Sequence, residues 1–284
     1  MNSTLTNAAR QWAIRAVLGA LILALILSQR STARDVFAAL KAVSPLVLGA
    51  SVAFYWIGQI LSAWKWQQLL RARGVEVPLA LCCRLYLAGM FGNLWLPTNI
   101  GGDALRATLL NRAAPVSLSD AAASIVVERL TGFAALLFLA ALGLLWRGAG
   151  GDGISILAGA AGIVAILAAL WKLAGRFCAS GSGKWARKLS SLRQSLDFYA
   201  QKQHRGALWS ALGLSLLFQA SQVVLNLALA RAANLDLPLA VFWWLAPLLS
   251  LSGLVPAGIG GFGVREAAAL ALLRPDFPSL AAGQ

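Results

Sequence analysis

The chain has 284 residues, of which 59% are hydrophobic and only 12% charged, with 11 tryptophans and a mean hydropathy of +0.73. That composition excludes an ordinary soluble domain and points to helices dissolved in lipid. A formal net charge of +14 would suit a nucleic-acid binder, but the bases sit in loops between apolar runs, where the positive-inside bias puts them, so no nucleic-acid partner is expected.

In chain order, Arg10 and Arg15 precede an apolar stretch from Ala16 to Ser28. It reads as a retained first helix rather than a signal peptide ending near Ser31-Thr32-Ala33. Uncharged runs follow at 42–64, 85–102, 130–146, 153–171, 206–230 and 237–264. A bilayer core of about 30 Å needs roughly 20 apolar residues in a helix, so several of these runs cross it. The expected fold is an all-α polytopic membrane protein of about six to eight membrane helices, forming one membrane domain over 1–284.

Charge then selects the topology. Arg10 and Arg15 lie before the first helix, Lys65, Arg71, Arg73 and Arg84 follow the second, and eight bases lie between Lys172 and Arg205. If 85–102 crosses once, an N-terminus on the inside throws the eight-base segment outside, against the bias. If the chain dips in there and returns, all of these bases are cytoplasmic, leaving Arg30, Arg34, Lys41, Arg147 and Arg231 outside. The re-entrant arrangement is therefore expected, with a cytoplasmic N-terminus in a bacterial inner membrane. It also accounts for "PTNIGGDALR" (97–106): Pro97 and Gly101-Gly102 are expected to break a helix, and broken backbone at membrane depth survives only inside protein or along a cavity.

The chain also repeats itself. "RARGVEVPLA" (71–80) matches "RAANLDLPLA" (231–240) at five of ten positions. "PTNIGGDALR" matches "PAGIGGFGVR" (256–265) through Pro, Ile, Gly, Gly and Arg. Two repeat units result, 42–112 and 206–273, separated by a basic segment at 176–205. The helix before the first motif runs inward and the helix before the second runs outward, so the copies are expected to be inverted. Paired segments interrupted by Gly and Pro in an inverted repeat mark a transporter's midplane site. Pro97, Asn99, Gly101 and Gly102 would shape one re-entrant tip, and Pro256, Gly258, Gly260 and Gly261 the other.

Six charges lie in or beside the apolar stretches: Asp103, Arg106, Glu128, Arg129, Arg265 and Glu266. Each would cost roughly 2.5 to 3.5 kcal/mol at the bilayer centre, so they face inward and pair, or line water. Arg106, Arg129 and Arg265 are the candidate lipid-headgroup ligands, because a guanidinium binds phosphate bidentately and keeps its charge when buried. Asp103, Glu128 and Glu266 are their candidate charge partners, with Arg106 expected to pair with Glu266 of the other copy. The same six residues would also serve as a structural network, and the glycines as close-packing positions. "GIGGFG" lacks the strand and acid of a dinucleotide site. Cys82, Cys83, Cys178 and the single histidine, His204, lack metal-ligand spacing, so neither a metal nor a cofactor is expected.

In the basic segment, Trp185, Leu189, Leu192, Leu196 and Tyr199 recur at helical spacing among Lys184, Arg187, Lys188 and Arg193. This predicts an interfacial amphipathic helix attracted to anionic lipid.

The succession "NLWLPTNIGGDALR", "VVERLTG" (126–132) and "PAGIGGFGVRE" resembles the lysylphosphatidylglycerol synthase transmembrane-region family, whose members are also described as flippase-like, from about residue 40 onward. In the two-part synthases of that family the membrane half moves an aminoacylated phospholipid that a soluble domain makes. No stretch here is long enough to be that domain. The resemblance implies a protein that binds and translocates an anionic phospholipid or polyprenyl-type lipid without covalent chemistry, with membrane lipids and a separate lipid-modifying enzyme as partners. An enzyme or subunit of lipid glycosylation or aminoacylation, with Asp103, Glu128 and Glu266 as acid or base, remains open, as does a scaffold for a synthase made separately.

The topology is directly testable. In a background lacking Cys82, Cys83 and Cys178, single cysteines near Ala72 and near Ala186 should react with an impermeant maleimide only from the cytoplasmic face. Labelling of just one of them from that face would rule out the re-entrant arrangement.

Overall fold

A computed structural model describes residues 17, 43–95, 99–146, 184–252 and 264–273. The expected first helix, the run at 153–171, and Pro97, Pro256, Gly258, Gly260 and Gly261 lie outside the described residues. Regular structure among the described residues is helical throughout: α1 (Pro45–Ala72), α2 (Leu79–Trp95), α3 (Asn99–Ala113), α4 (Leu118–Trp146), α5 (Lys184–Ala200), α6 (Arg205–Ala232), α7 (Leu239–Ser252) and α8 (Val264–Leu273), with a 3-10 turn at Lys202–His204. Three segments are long and apolar enough to cross a membrane, Pro45–Ala72, Leu118–Trp146 and Lys202–Ala232.

The long helices begin and end for local reasons. Ser44 caps α1 by accepting from the Val47 amide at 3.2 Å, and Pro45 takes the first position, where no amide hydrogen is needed. At its far end the chain turns through Gly74 at φ 76°, and the Val75 amide donates to the Leu70 carbonyl at 3.1 Å. The same turn closes α6: Asn234 sits at φ 58°, and the Leu235 amide donates to Ala230 at 2.8 Å. Glycine and asparagine are the residues that enter the left-handed region at little cost, so the two aligned sequence positions adopt one cap. Both helices have 28 residues.

α1 and α6 pack along each other. Gly58 lies against Phe218 and Gln222, Lys65 reaches Ser215, and Leu69 shares a cluster with Ala211. Residue numbers rise on one helix as they fall on the other, so the pair is antiparallel. α2, with 17 residues, covers about 25 Å and falls short of the hydrocarbon core. It folds back through α3, so that Gly102 meets Gly89 and Asn93 near the tip while Leu85 and Leu110 share a cluster deeper in the hairpin. The chain thus leaves this hairpin on the side from which it came. α7 and α8 pack together in the same manner, with Val241, Trp244 and Leu245 against Leu272 and Leu273.

Two expectations need correction. Gly101 and Gly102 do not break a helix; they lie in the first turn of α3. Their use is proximity, because a Cβ on Gly102 would overlap the Gly89 carbonyl oxygen and the Asn93 side chain. Nor is the apolar face of the basic segment free for lipid at the C-terminal end of α5. Leu196 and Tyr199 pack on Leu69, Val127 and Ala211, and the Tyr199 hydroxyl donates to the Leu69 carbonyl at 2.9 Å. Burial pushes that phenol up, so it stays a donor.

A polar clasp holds α5 in place. Ser117 caps α4 by accepting from the Asp120 amide at 3.0 Å, and Asp120 pairs with Arg73 at the end of α1. The Ser195 hydroxyl donates to Asp120 at 2.8 Å, and Arg73 also donates to the Ser195 carbonyl and lies over the Phe198 ring.

The glycine contacts yield a stability test. Gly102→Ala should lower unfolding stability in detergent by about 1 to 3 kcal/mol through overpacking. Gly213→Ala, where no neighbour stands within 4 Å of the added carbon, should leave it unchanged or slightly raised. Equal effects at the two positions would mean that the α2–α3 approach is looser than described.

Candidate functional site

Among the described residues, the place where α1 to α4 and α6 meet is charged. Arg106 of α3 is 1% exposed and Glu128 of α4 is 2% exposed. Arg106 Nη2 donates to Glu128 Oε2 at 2.5 Å, and the Tyr86 hydroxyl donates to Oε1 at 3.3 Å. The guanidinium lies between two rings, 4.1 Å from the Trp66 centroid and 4.5 Å from that of Tyr86. Trp66 is in turn fixed by donating its indole N–H to Ser124 at 3.0 Å. Aromatic faces accept a cation while excluding water, so the pair is both enclosed and satisfied on these sides. The glycine at position 89 provides the room: a Cβ there would come within 2.7 Å of Arg106 Cδ.

A second pair sits at the edge. Arg129 donates through Nε and Nη2 to the two carboxylate oxygens of Asp103, at 3.0 and 2.7 Å. This is the fork geometry of a guanidinium on a planar anion. The Arg129 side chain is 52% exposed and that of Asp103 19%. Asp103 also stands 3.8 Å from Arg106 Nη1, so the pairs join in the order Arg129, Asp103, Arg106, Glu128.

Lys65 completes the cluster, and it is a buried helix residue and not the loop base expected from its place at the end of an uncharged run. α1 continues through it to Ala72, and it is 6% exposed. Its ammonium donates to the Glu128 carbonyl at 3.2 Å and to the Ser215 hydroxyl at 3.1 Å, joining α1, α4 and α6. Gly58, Lys65 and Leu69 share a helical stripe whose members are buried. Three cations therefore face two carboxylates, and among the described residues Lys65 has no carboxylate within ion-pair distance.

The six expected residues thus divide. Asp103, Arg106, Glu128 and Arg129 come together. Arg265 is exposed on α8, which packs on α7, and Glu266 is half-buried there. The expected pairing of Arg106 with Glu266 does not occur, since among the described residues the carboxylates beside Arg106 are Glu128 and Asp103. α4 supplies the acid because Glu128 and Arg129 are adjacent and point to different sides of their helix, one inward and one outward. Asn99 opens α3. The Gly102 N–H is satisfied internally, donating to Asn93 at 2.9 Å. Trp66, Tyr86, Ser124 and Ser215 are further site residues that no sequence motif marked, and Asn93, the first residue of "NLWLPTNIGGDALR", joins the site without having been singled out there.

These features define a multi-pass helical membrane protein built around a buried, net-cationic cluster beside a helical hairpin. The chain belongs to the family described as the lysylphosphatidylglycerol synthase TM region, which matches residues 12–283. No curated protein and no solved structure matches it.

The buried pair can be tested by a double-mutant cycle. Arg106→Met or Glu128→Gln alone should cost about 3 to 5 kcal/mol, and the two together less than their sum. A coupling of at least about 0.5 kcal/mol in detergent unfolding is expected; strictly additive losses would mean that the two side chains do not depend on each other.

Proposed function

We propose that the protein binds an anionic lipid, an anionic phospholipid or a polyprenyl-type phosphate, and carries its headgroup across a bacterial inner membrane with the N-terminus inside. The observation that carries this reading is the Arg129–Asp103 pair. A half-exposed guanidinium gripped by two carboxylate oxygens is held in the geometry in which it would grip two phosphate oxygens. Asp103 holds the place, and a lipid phosphate displaces it. The displaced carboxylate stays near Arg106, 3.8 Å away, so the exchange leaves no acid stranded. The surplus positive charge of Lys65, Arg106 and Arg129 over Asp103 and Glu128 favours an incoming anion in surroundings of low dielectric.

Arg106 is enclosed on two faces by rings, which suits a fixed positive centre more than a group exchanging with bulk lipid. Arg265, exposed on α8, is the candidate headgroup ligand of the second repeat. No covalent step is assigned to the chain; a separate lipid-modifying enzyme would supply or consume the lipid. The family description supports a lipid role of this kind.

In vesicles of phosphatidylcholine carrying a small fraction of fluorescent phosphatidylglycerol, the wild type should speed movement of the label between leaflets. Arg129→Gln should slow it by about tenfold or more, the loss expected for hydrogen bonds to a charged group, while the protein still purifies folded. Equal rates for the two would remove Arg129 from the site. No movement by the wild type would refute translocation.

A further inference from the structure

Three donors near the α1–α6 seam have N–H groups left over. Arg106 Nε and Gln222 Nε2 are buried atoms with no hydrogen-bond partner among the described residues. Lys65 carries three hydrogens and makes two bonds, to the Glu128 carbonyl and to Ser215. Such groups cost free energy inside protein and more inside a membrane, so each requires a reason. All three are donors, and two of the three side chains are cationic.

Two of them, Gln222 and Lys65, lie along the seam itself. The antiparallel seam sets Gln222 beside Gly58 and Ser215 beside Lys65, with an interval of seven residues on each helix, two turns or roughly 10 Å. Gly58 has no side chain, and a Cβ there would already stand 3.5 Å from Gln222 Nε2 and 3.2 Å from the Phe218 ring, so a larger residue would fill the space beside the amide. At the other end Lys65 adjoins the charged cluster through the Glu128 carbonyl. Beyond it, Leu69, Val127, Tyr199 and Ala211 close the seam with apolar contacts.

We infer that the seam between α1 and α6 is the track along which the lipid phosphate travels, from the cluster at Arg129 past Lys65 and Ser215 to Gln222. The inference rests on the reading of Arg129 given above. It assigns Lys65 and Gln222 as substrate-binding residues, and the ligand they take is the phosphodiester of a lipid headgroup, which brings acceptor oxygens and negative charge to donors that lack both. Passage requires α1 and α6 to part locally, and the bond between Lys65 and Ser215 is the polar contact that phosphate would replace. The acyl chains remain in the bilayer, where Trp56, Ile57, Ile60 and Trp64 of α1 are exposed.

Gln222→Glu and Gln222→Met keep the length of the side chain, the first turning a donor into an anionic acceptor and the second removing polarity. Both should retain co-purified phosphatidylglycerol in native mass spectrometry. In the vesicle assay Gln222→Glu should slow movement by about tenfold or more, as a like charge set against the phosphate demands, with Gln222→Met intermediate. Wild-type rates for both variants, with Arg129→Gln still slow, would overturn the track and leave the proposed function standing. If Gln222→Glu does not fold, a wild-type rate for Gln222→Met overturns the track by itself. A wild type that neither binds nor moves the lipid overturns both readings. Vesicles loaded with inorganic phosphate should retain it; release that slows in Gln222→Glu would make the seam a path for free anions and refute the lipid assignment.

Discussion

The arrangement depends on the ion pair between Arg106 and Glu128. Two opposite charges removed almost wholly from water are tolerable only when close, well aligned and bonded on their remaining sides. Much of the core follows from that demand. Tyr86 satisfies the second carboxylate oxygen, Trp66 and Tyr86 cover the guanidinium, Ser124 fixes Trp66, and Gly89 leaves space for the arginine stem. The pair also ties the α2–α3 hairpin to α4, so the hairpin is held against that helix by electrostatics as well as by its apolar contacts.

Next to this fixed centre lies an adaptable one. Arg129 and Asp103 are joined by two good hydrogen bonds, yet the arginine is half-exposed, so exchanging its partner demands little new desolvation. Asp103 belongs to both levels, as partner of Arg129 and neighbour of Arg106. A single carboxylate thus links the exposed pair to the buried one.

The two repeat units share backbone more than chemistry. Gly74 and Asn234 make the same left-handed cap, and α1 and α6 have the same length. The position equivalent to Lys65 is Leu225, and the one equivalent to Asp103 is Phe262. The charged cluster therefore grows on the first unit and α4 alone, while the second unit provides a hydroxyl, Ser215, and an amide, Gln222. That division places the seam between the units next to the charge.

The sequence by itself determined the class of fold, because long uncharged runs admit only helices in lipid, and charge bias marked the run of 85–102 as one that dips in and returns; that the turn back is made by two helices, α2 and α3, came from the structure. The sequence also marked Asp103, Arg106, Glu128 and Arg129, since charges within apolar sequence are conspicuous. Which of them pair was decided by tertiary structure. Helical periodicity gives the face on which Arg106 or Glu128 lies but not the helix that meets it, so the partner of Arg106 proved to be Glu128 of α4 and not Glu266. Lys65 stood at the border of an uncharged run and resembled a loop base; only the packing of α4 and α6 over that turn made it a buried ammonium. The glycines carried a double meaning for the same reason. A glycine permits a break or a close approach, and the choice at Gly102 belonged to the neighbouring helix, whose Gly89 carbonyl and Asn93 side chain occupy the space a side chain would need.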